Sequence, residues 1–371
     1  MFISAKYICP VRGLATLEAP EPLQLGQAAR VVENLGLKRL IVPVLEESLT
    51  GATKATITYL DGLLLALDQV GEAGLTTWFI APARQVLGLD WVPPYLVKGG
   101  QDPEAGLVFL EGRLRNVSPY NWWEDISVLQ KRIKVFRELV NAVSGHPALT
   151  GWVIMDRSLE WARPEPEVAE LMLNSYKAEI REKDESGTIC LGLDWSELLD
   201  PEMARSLAKQ VDGLLMSGLG KPPFKLNRSK GLVGELLRAA YLGNLTQWLF
   251  GRPTEVEVGW GMTGKMGDPE EIMETFKRLA HQGLAGVNWL SLIDPKPDLC
   301  SHPPWILRTN LERTGLLDQR VEPKENVEDW INEVHSIKPD EAINDFIDIT
   351  VEEYLADPQI HFHRLWDHFL E

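Results

Sequence analysis

The chain has 371 residues, 44% of them apolar and 25% charged, an ordinary balance for a globular protein with a core of normal size. Lys and Arg number 37 against 54 Asp and Glu, so the net charge is −17. That charge repels nucleic acid and anionic membranes and disfavours a phosphate-rich polymer, which leaves a neutral ligand as the easier partner.

The segment from Phe2 to Cys9 is short and apolar and reads as a first strand rather than a signal peptide, which points to a cytoplasmic location. Leu23–Leu35 has helical spacing and stops at Gly36, a residue suited to a helix C-cap. Arg39–Leu45 is a buried-type strand, Ala55–Ala73 a long helix closed by Gly74, and Leu75–Ala81 the next strand. About forty residues, Pro82–Asn121, then read as an irregular loop rich in Gly and Pro, a length usual for a functional or lid segment.

Trp123–Val143 follows as an amphipathic helix with Leu129, Ile133, Phe136 and Val140 on one face. Strands are expected over Gly151–Met155, Thr188–Leu193, Val211–Met216, Thr254–Val258 and Gly286–Leu292. Helices are expected between and before them over Glu167–Lys183, Pro201–Gln210, Gly231–Leu249 and Pro269–Gln282. Near-continuous apolar strands alternating with helices fit a parallel sheet covered on both faces. A repeat of about 35–40 residues per unit predicts a closed (β/α)8 TIM barrel over residues 1–335. Gly-x-Gly-x-x-Gly and Walker-type loops are absent after these strands, which removes the main support for nucleotide binding.

The segment 336–371 reads differently. From Pro339 onward nine acids face one Arg364, and Ile343, Phe346, Ile347, Leu365, Trp366 and Phe369 give it an apolar stripe. It is expected to be a short acidic helical extension that docks on its own barrel or on a protein partner. No run of about 18 apolar residues predicts a membrane span. Cys9, Cys190 and Cys300 are odd in number and widely spaced, and read as reduced thiols. His361 and His363 are two apart and cannot share a helical face, so no metal centre is predicted, and no cofactor is required.

In a parallel barrel the C-terminal strand ends form the active face. The residues expected there include Glu46 and Glu47, Arg84, Asp156, Arg157 and Glu160, Asp194, Trp195 and Glu197, Ser217, Glu257 and Trp260, and Asn288, Trp289 and Asp294. Carboxyl pairs flanking a glycosidic bond are what glycoside hydrolysis needs, and indole faces stack on sugar rings. The segment Thr254-Glu255-Val256-Glu257-Val258-Gly259-Trp260 is the sharpest signal, a strand that ends by presenting a carboxylate before a Gly-Trp turn.

Several stretches carry a resemblance. His146–Met155 resembles the approach to strand four of clan A glycoside hydrolases, the retaining (β/α)8 enzymes that include cellulases and mannanases. Pro253–Trp260 resembles their strand-seven motif, Trp289 matches their strand-eight tryptophan, and Gly315–Lys324 resembles their closing segment. The resemblance implies that Glu257 is the nucleophile and that Trp289 floors the sugar site.

One position departs from that pattern. The family's strand four ends in Asn-Glu, with the glutamate as general acid/base, whereas this chain reads Asp156-Arg157. A guanidinium cannot donate a proton at neutral pH. Glu160, or another carboxylate such as Asp156 or Asp194, then takes the acid role, or the chain no longer hydrolyses glycosides. In the enzyme reading Trp260, Trp289 and Trp195 shape the pocket, with Asp194, Arg157 and Asn288 in contact with the sugar. The rival is a non-catalytic barrel that binds a glycan or a protein. In the plainer reading of each residue, Glu257 pairs with Arg157 or Arg84, Trp289 is core, and Trp122-Trp123 staples the next helix.

Overall fold

The computed structural model describes residues 2–8, 21–50, 53–83, 85–86, 89–97, 107–110, 113–117, 121–157, 163–217, 231–259, 269–281, 283–302, 313–336 and 345–371. Eight strands form a closed barrel: β1 (Phe2–Lys6), β2 (Arg39–Leu45), β3 (Thr76–Ala83), β4 (Leu149–Ile154), β5 (Thr188–Asp194), β6 (Gly213–Ser217), β7 (Thr254–Val258) and β8 (Gly286–Trp289). Each pairs in parallel with its successor. The ring closes where Phe2 of β1 sits opposite Gly286 of β8 and Ala5 opposite Trp289. Burial at nearly every strand position is the reason these runs are apolar throughout.

A helix follows each strand: α1 (Pro22–Asn34), α2 (Thr53–Glu72), α3 (Ile126–Val143), α4 (Pro166–Lys183), α5 (Glu202–Ala208), α6 (Gly231–Phe250), α7 (Pro269–His281) and α8 (Val327–Ser336). Their starts follow local chemistry. Proline opens α1 and α4, where a missing N–H costs nothing, and the Asp125 side chain caps α3 by accepting from Ser127 N. The layer between barrel and helices is aromatic on one side. Trp152 of β4 meets Phe79 and Phe136 edge-on at 5.7 Å each, and Phe136 meets Tyr176 at 4.3 Å.

Two departures from the sequence reading bear on the site. The stretch expected to be irregular carries a small sheet of Gln85–Val86, Leu89–Trp91, Leu107–Leu110 and Arg113–Asn116. Its strands are only two to four residues long, too short for a period-2 pattern to stand out. The last strand breaks at Leu290, and Ser291–Ile293 pairs with Gly315–Leu317 instead of continuing in the barrel.

The insertion is tied to the barrel by a buried ionic group. Arg132 of α3 donates to both oxygens of Glu46, at 3.0 and 3.1 Å, and the Tyr95 hydroxyl donates to the same carboxylate. The Arg132 guanidinium lies 4.1 Å over the Trp122 ring, which stacks on Trp123. Both indoles are buried, as a staple for α3 requires.

Beyond α8, the helices α9 (Val351–Ala356) and α10 (Pro358–Leu370) lie against α6 and α7. The ring of Tyr241 is surrounded by Phe346, Phe362, Trp366 and Phe369, and its hydroxyl donates to the Phe362 carbonyl. Tyr354 donates to the Leu198 carbonyl at 2.9 Å, and Arg278 donates to the Phe369 carbonyl at 2.5 Å. Among the described residues, no helix is long and apolar enough to cross a membrane.

Candidate active site at the C-terminal mouth of the barrel

Strand parity sets which side chains enter the lumen. In β7, Val256 faces α6, since a Cβ built on Gly243 would lie 2.5 Å from its Cγ1. Glu255 and Glu257 therefore point inward. Arg39 of β2 reaches Glu255 at 2.6 Å although β1 and β8 stand between their strands, a contact that only the lumen permits.

Two charged layers result. The deeper one joins Arg39, Glu255, Asn288 and Ser4. Asn288 donates to Glu255 at 2.8 Å, Ser4 donates to the Asn288 side-chain oxygen, and the Arg39 guanidinium stacks 3.7 Å over the Trp78 ring. Burial, then the Glu255 charge, pushes the neighbouring Cys190 thiol well up, so it stays an inert thiol.

The upper layer is at the mouth. Lys6, at the end of β1, donates to Glu257, at the end of β7; their exposures are 5% and 2%. The plainer reading paired Glu257 with Arg157 or Arg84; this lysine is a cation in contact with it. Arg84, one of the two named arginines, lies outside the described residues.

Across the mouth, Arg157 places a guanidinium nitrogen 2.7 Å from an Asp194 oxygen. Asp194 also caps the following turn by accepting from Ser196 N at 3.0 Å. The backbone there is unusual. Met155 and Arg157 have φ of 53° and 47°, a left-handed conformation that side-chain-bearing residues rarely take. Such strain persists only where surrounding structure over-determines it, and it concentrates at functional sites. Asp156 sits between them, 4% exposed, against Gly192; a Cβ there would lie 2.8 Å from the Asp156 Cα. Glycine at 192 is what lets the strand-four end fold over β5.

The other predicted residues are less uniform. Trp195 is half-buried beside Asp194. Asn288 belongs to the deeper layer. Trp289 has the opposite parity and is 0% exposed; its indole donates to the Thr314 carbonyl at 2.6 Å and packs on Trp330 of α8 at 5.3 Å. It presents no open surface to a sugar in this structure. Glu160 and Trp260 lie outside the described residues. Asp294 binds Lys324 at 2.8 Å and Gly315 N at 2.8 Å, pinning the segment after β8. Burial holds its carboxyl above the usual range.

Sequence reasoning missed Lys6, Arg39, Ser4 and Glu255. The signal was available as parity: Ser4 and Lys6 alternate with Ile3 and Ala5, and Glu255 alternates with Val256.

A closed ring of eight parallel strands with its charged groups at the C-terminal ends is a (β/α)8 barrel of the kind that carries enzyme sites on that face. No family profile matches the chain, and no curated protein matches it. Solved structures do. A GH5_18 protein from Bifidobacterium longum subsp. infantis superposes with a TM-score of 0.66 at 16% identity, covering 92% of this chain and 80% of that one. A GH5_18 variant from Streptomyces cattleya, in complex with Manb1-4GlcNAc, gives 0.67 at 17%, covering 92% and 82%. The exo-beta-1,4-mannosidase Op5Man5 from Opitutaceae bacterium strain TAV5 gives 0.65 at 16%, covering 91% and 59%. The likeness shows that this chain shares their (β/α)8 fold.

Proposed function

We propose that this protein is a glycoside-hydrolase-like barrel that acts on a carbohydrate at the C-terminal mouth, with Glu257 as nucleophile. The observation that carries this reading is the Glu257 carboxylate, set in the lumen at the end of β7 against the Lys6 ammonium. A carboxylate so placed attacks the anomeric carbon, and a second carboxyl protonates the leaving oxygen. Glu160 or Asp156 is the carboxyl that supplies that proton. Arg157, Asp194, Trp195 and Trp260 contact the sugar, and Asn288 and Trp289 support the wall from within the barrel and from behind it. The carbohydrate ligand is supported by the neighbour solved with Manb1-4GlcNAc. No cofactor enters the scheme.

Arg157 narrows the reaction. It stands where the family carries its acid, and losing general acid help costs about 10²–10⁴-fold. Unless Glu160 or Asp156 makes good that loss, the substrates turned over are those whose leaving groups need little protonation. Turnover of activated aryl glycosides by the wild type, lost in Glu257→Gln, supports the reading; equal rates in both refute it.

A second reading has a specific observation behind it. Glu257 is 2% exposed and Arg157 is held by Asp194, as suits a barrel that binds a glycan without cleaving it. Saturable glycan binding with no turnover of any activated glycoside would select this reading.

A further inference from the structure

Glu235 lies in the second turn of α6 and is 0% exposed. Its Oε1 accepts the backbone N–H of Gly259 at 2.7 Å. Gly259 follows Glu257 by two residues and has a φ of 115°. A Cβ there would come within 3.2 Å of Leu290 Cβ and 3.3 Å of the Trp289 indole nitrogen. The turn that ends β7 is thus gripped from the β8 side by packing and from α6 by a carboxylate. On the strand itself, Leu290 N donates to the Val258 carbonyl at 2.7 Å, so the grip continues directly past Glu257.

A carboxylate with no solvent costs several kcal/mol unless it is bonded, and a peptide N–H given to a charged acceptor makes a stronger bond than one given to a neutral acceptor. A neighbouring charge is Arg238, one turn along α6, whose guanidinium pKa burial holds below its usual value. A neutral glutamine would accept the same N–H without the burial cost. The acceptor oxygen, which a glutamine also supplies, is what holds the Gly259 N–H.

We infer that Glu235 is a positioning residue: it fixes the peptide after Glu257 and so aims the Glu257 carboxylate at Lys6 and at the sugar. The inference rests on the reading of Glu257 as the group that meets the saccharide. Two readouts test it. The first is the rate at which a 2-fluoro-glycoside trap labels Glu257. Glu235→Ala is expected to lower it about 100-fold, the size of effect that a misplacement near 1 Å produces, with saccharide affinity unchanged. Glu235→Gln, which keeps the acceptor oxygen, is expected to recover most of the rate. The second is the ¹³C resonance of the Glu257 carboxyl, assigned through Glu257→Gln. It moves in Glu235→Ala and stays in place in Glu235→Gln. Labelling of Glu235→Ala at the wild-type rate, or an unmoved resonance, overturns the inference. If the wild type is never labelled, the nucleophile reading fails by itself, and the resonance still decides the role of Glu235.

Discussion

Among single residues, the mouth of the barrel is governed by paired charges that are themselves buried. Removing one partner of a buried pair strands the other, at a cost of about 3–5 kcal/mol. Lys6→Met is therefore expected to lose that much stability in urea denaturation, and Lys6→Met combined with Glu257→Leu to recover most of it. A loss within 1 kcal/mol (about the worth of a surface pair) would mean that the contact does not hold the mouth. In the proposed reading, Arg157→Glu restores a carboxyl acid at the end of β4. It is expected to raise turnover of glycosides with poor leaving groups by about 10²-fold, and activated ones far less. A uniform change across leaving groups would place the acid elsewhere. Gly192→Ala drives a Cβ to 2.8 Å from the Asp156 backbone, and about 1–3 kcal/mol of overpacking is expected in thermal unfolding.

At the scale of elements, the barrel strands could be read from sequence because burial on both faces writes itself as unbroken apolar runs. What happens inside the ring could not. The Lys6–Glu257 contact joins positions 251 apart, and nothing in either segment names the other. Parity in β7 was visible, but whether its glutamates or its valines face the lumen depends on how α6 packs, which is a tertiary fact. The break at Leu290 has the same origin: Ser291–Ile293 leaves the barrel because Gly315–Leu317 offers it a partner. Trp289 was readable as a strand-end indole, whereas its direction, toward Trp330, was not.

The tail makes an element-scale prediction with a sign. Its hydrogen bonds to Arg364 hold Asp348 below the usual carboxylate range, and the Thr350 backbone N–H does the same for Glu353, completing the cap of α9. A carboxyl whose folded value is depressed contributes stability above its unfolded value and loses it as pH falls through the folded one. Both groups are exposed, so the effect is small and local. Hydrogen exchange of α9 and α10 amides is expected to quicken at acid pH before that of the barrel strands. Simultaneous loss of protection would show that these caps do not hold the tail.

For the molecule as a whole, a net charge of −17 repels a polyanion from the charged mouth built from β1, β4, β5 and β7 and leaves a neutral ligand free to approach. The barrel architecture persists at 16–17% identity to its solved neighbours. The proposed chemistry rests on Glu257 meeting the anomeric carbon. Intact mass after incubation with a panel of 2-fluoro-glycosides tests it most directly. The account predicts one added glycosyl unit, mapped by peptide sequencing to Glu257 and missing in Glu257→Gln; an adduct on another residue, or none from sugars the protein demonstrably binds, would contradict it.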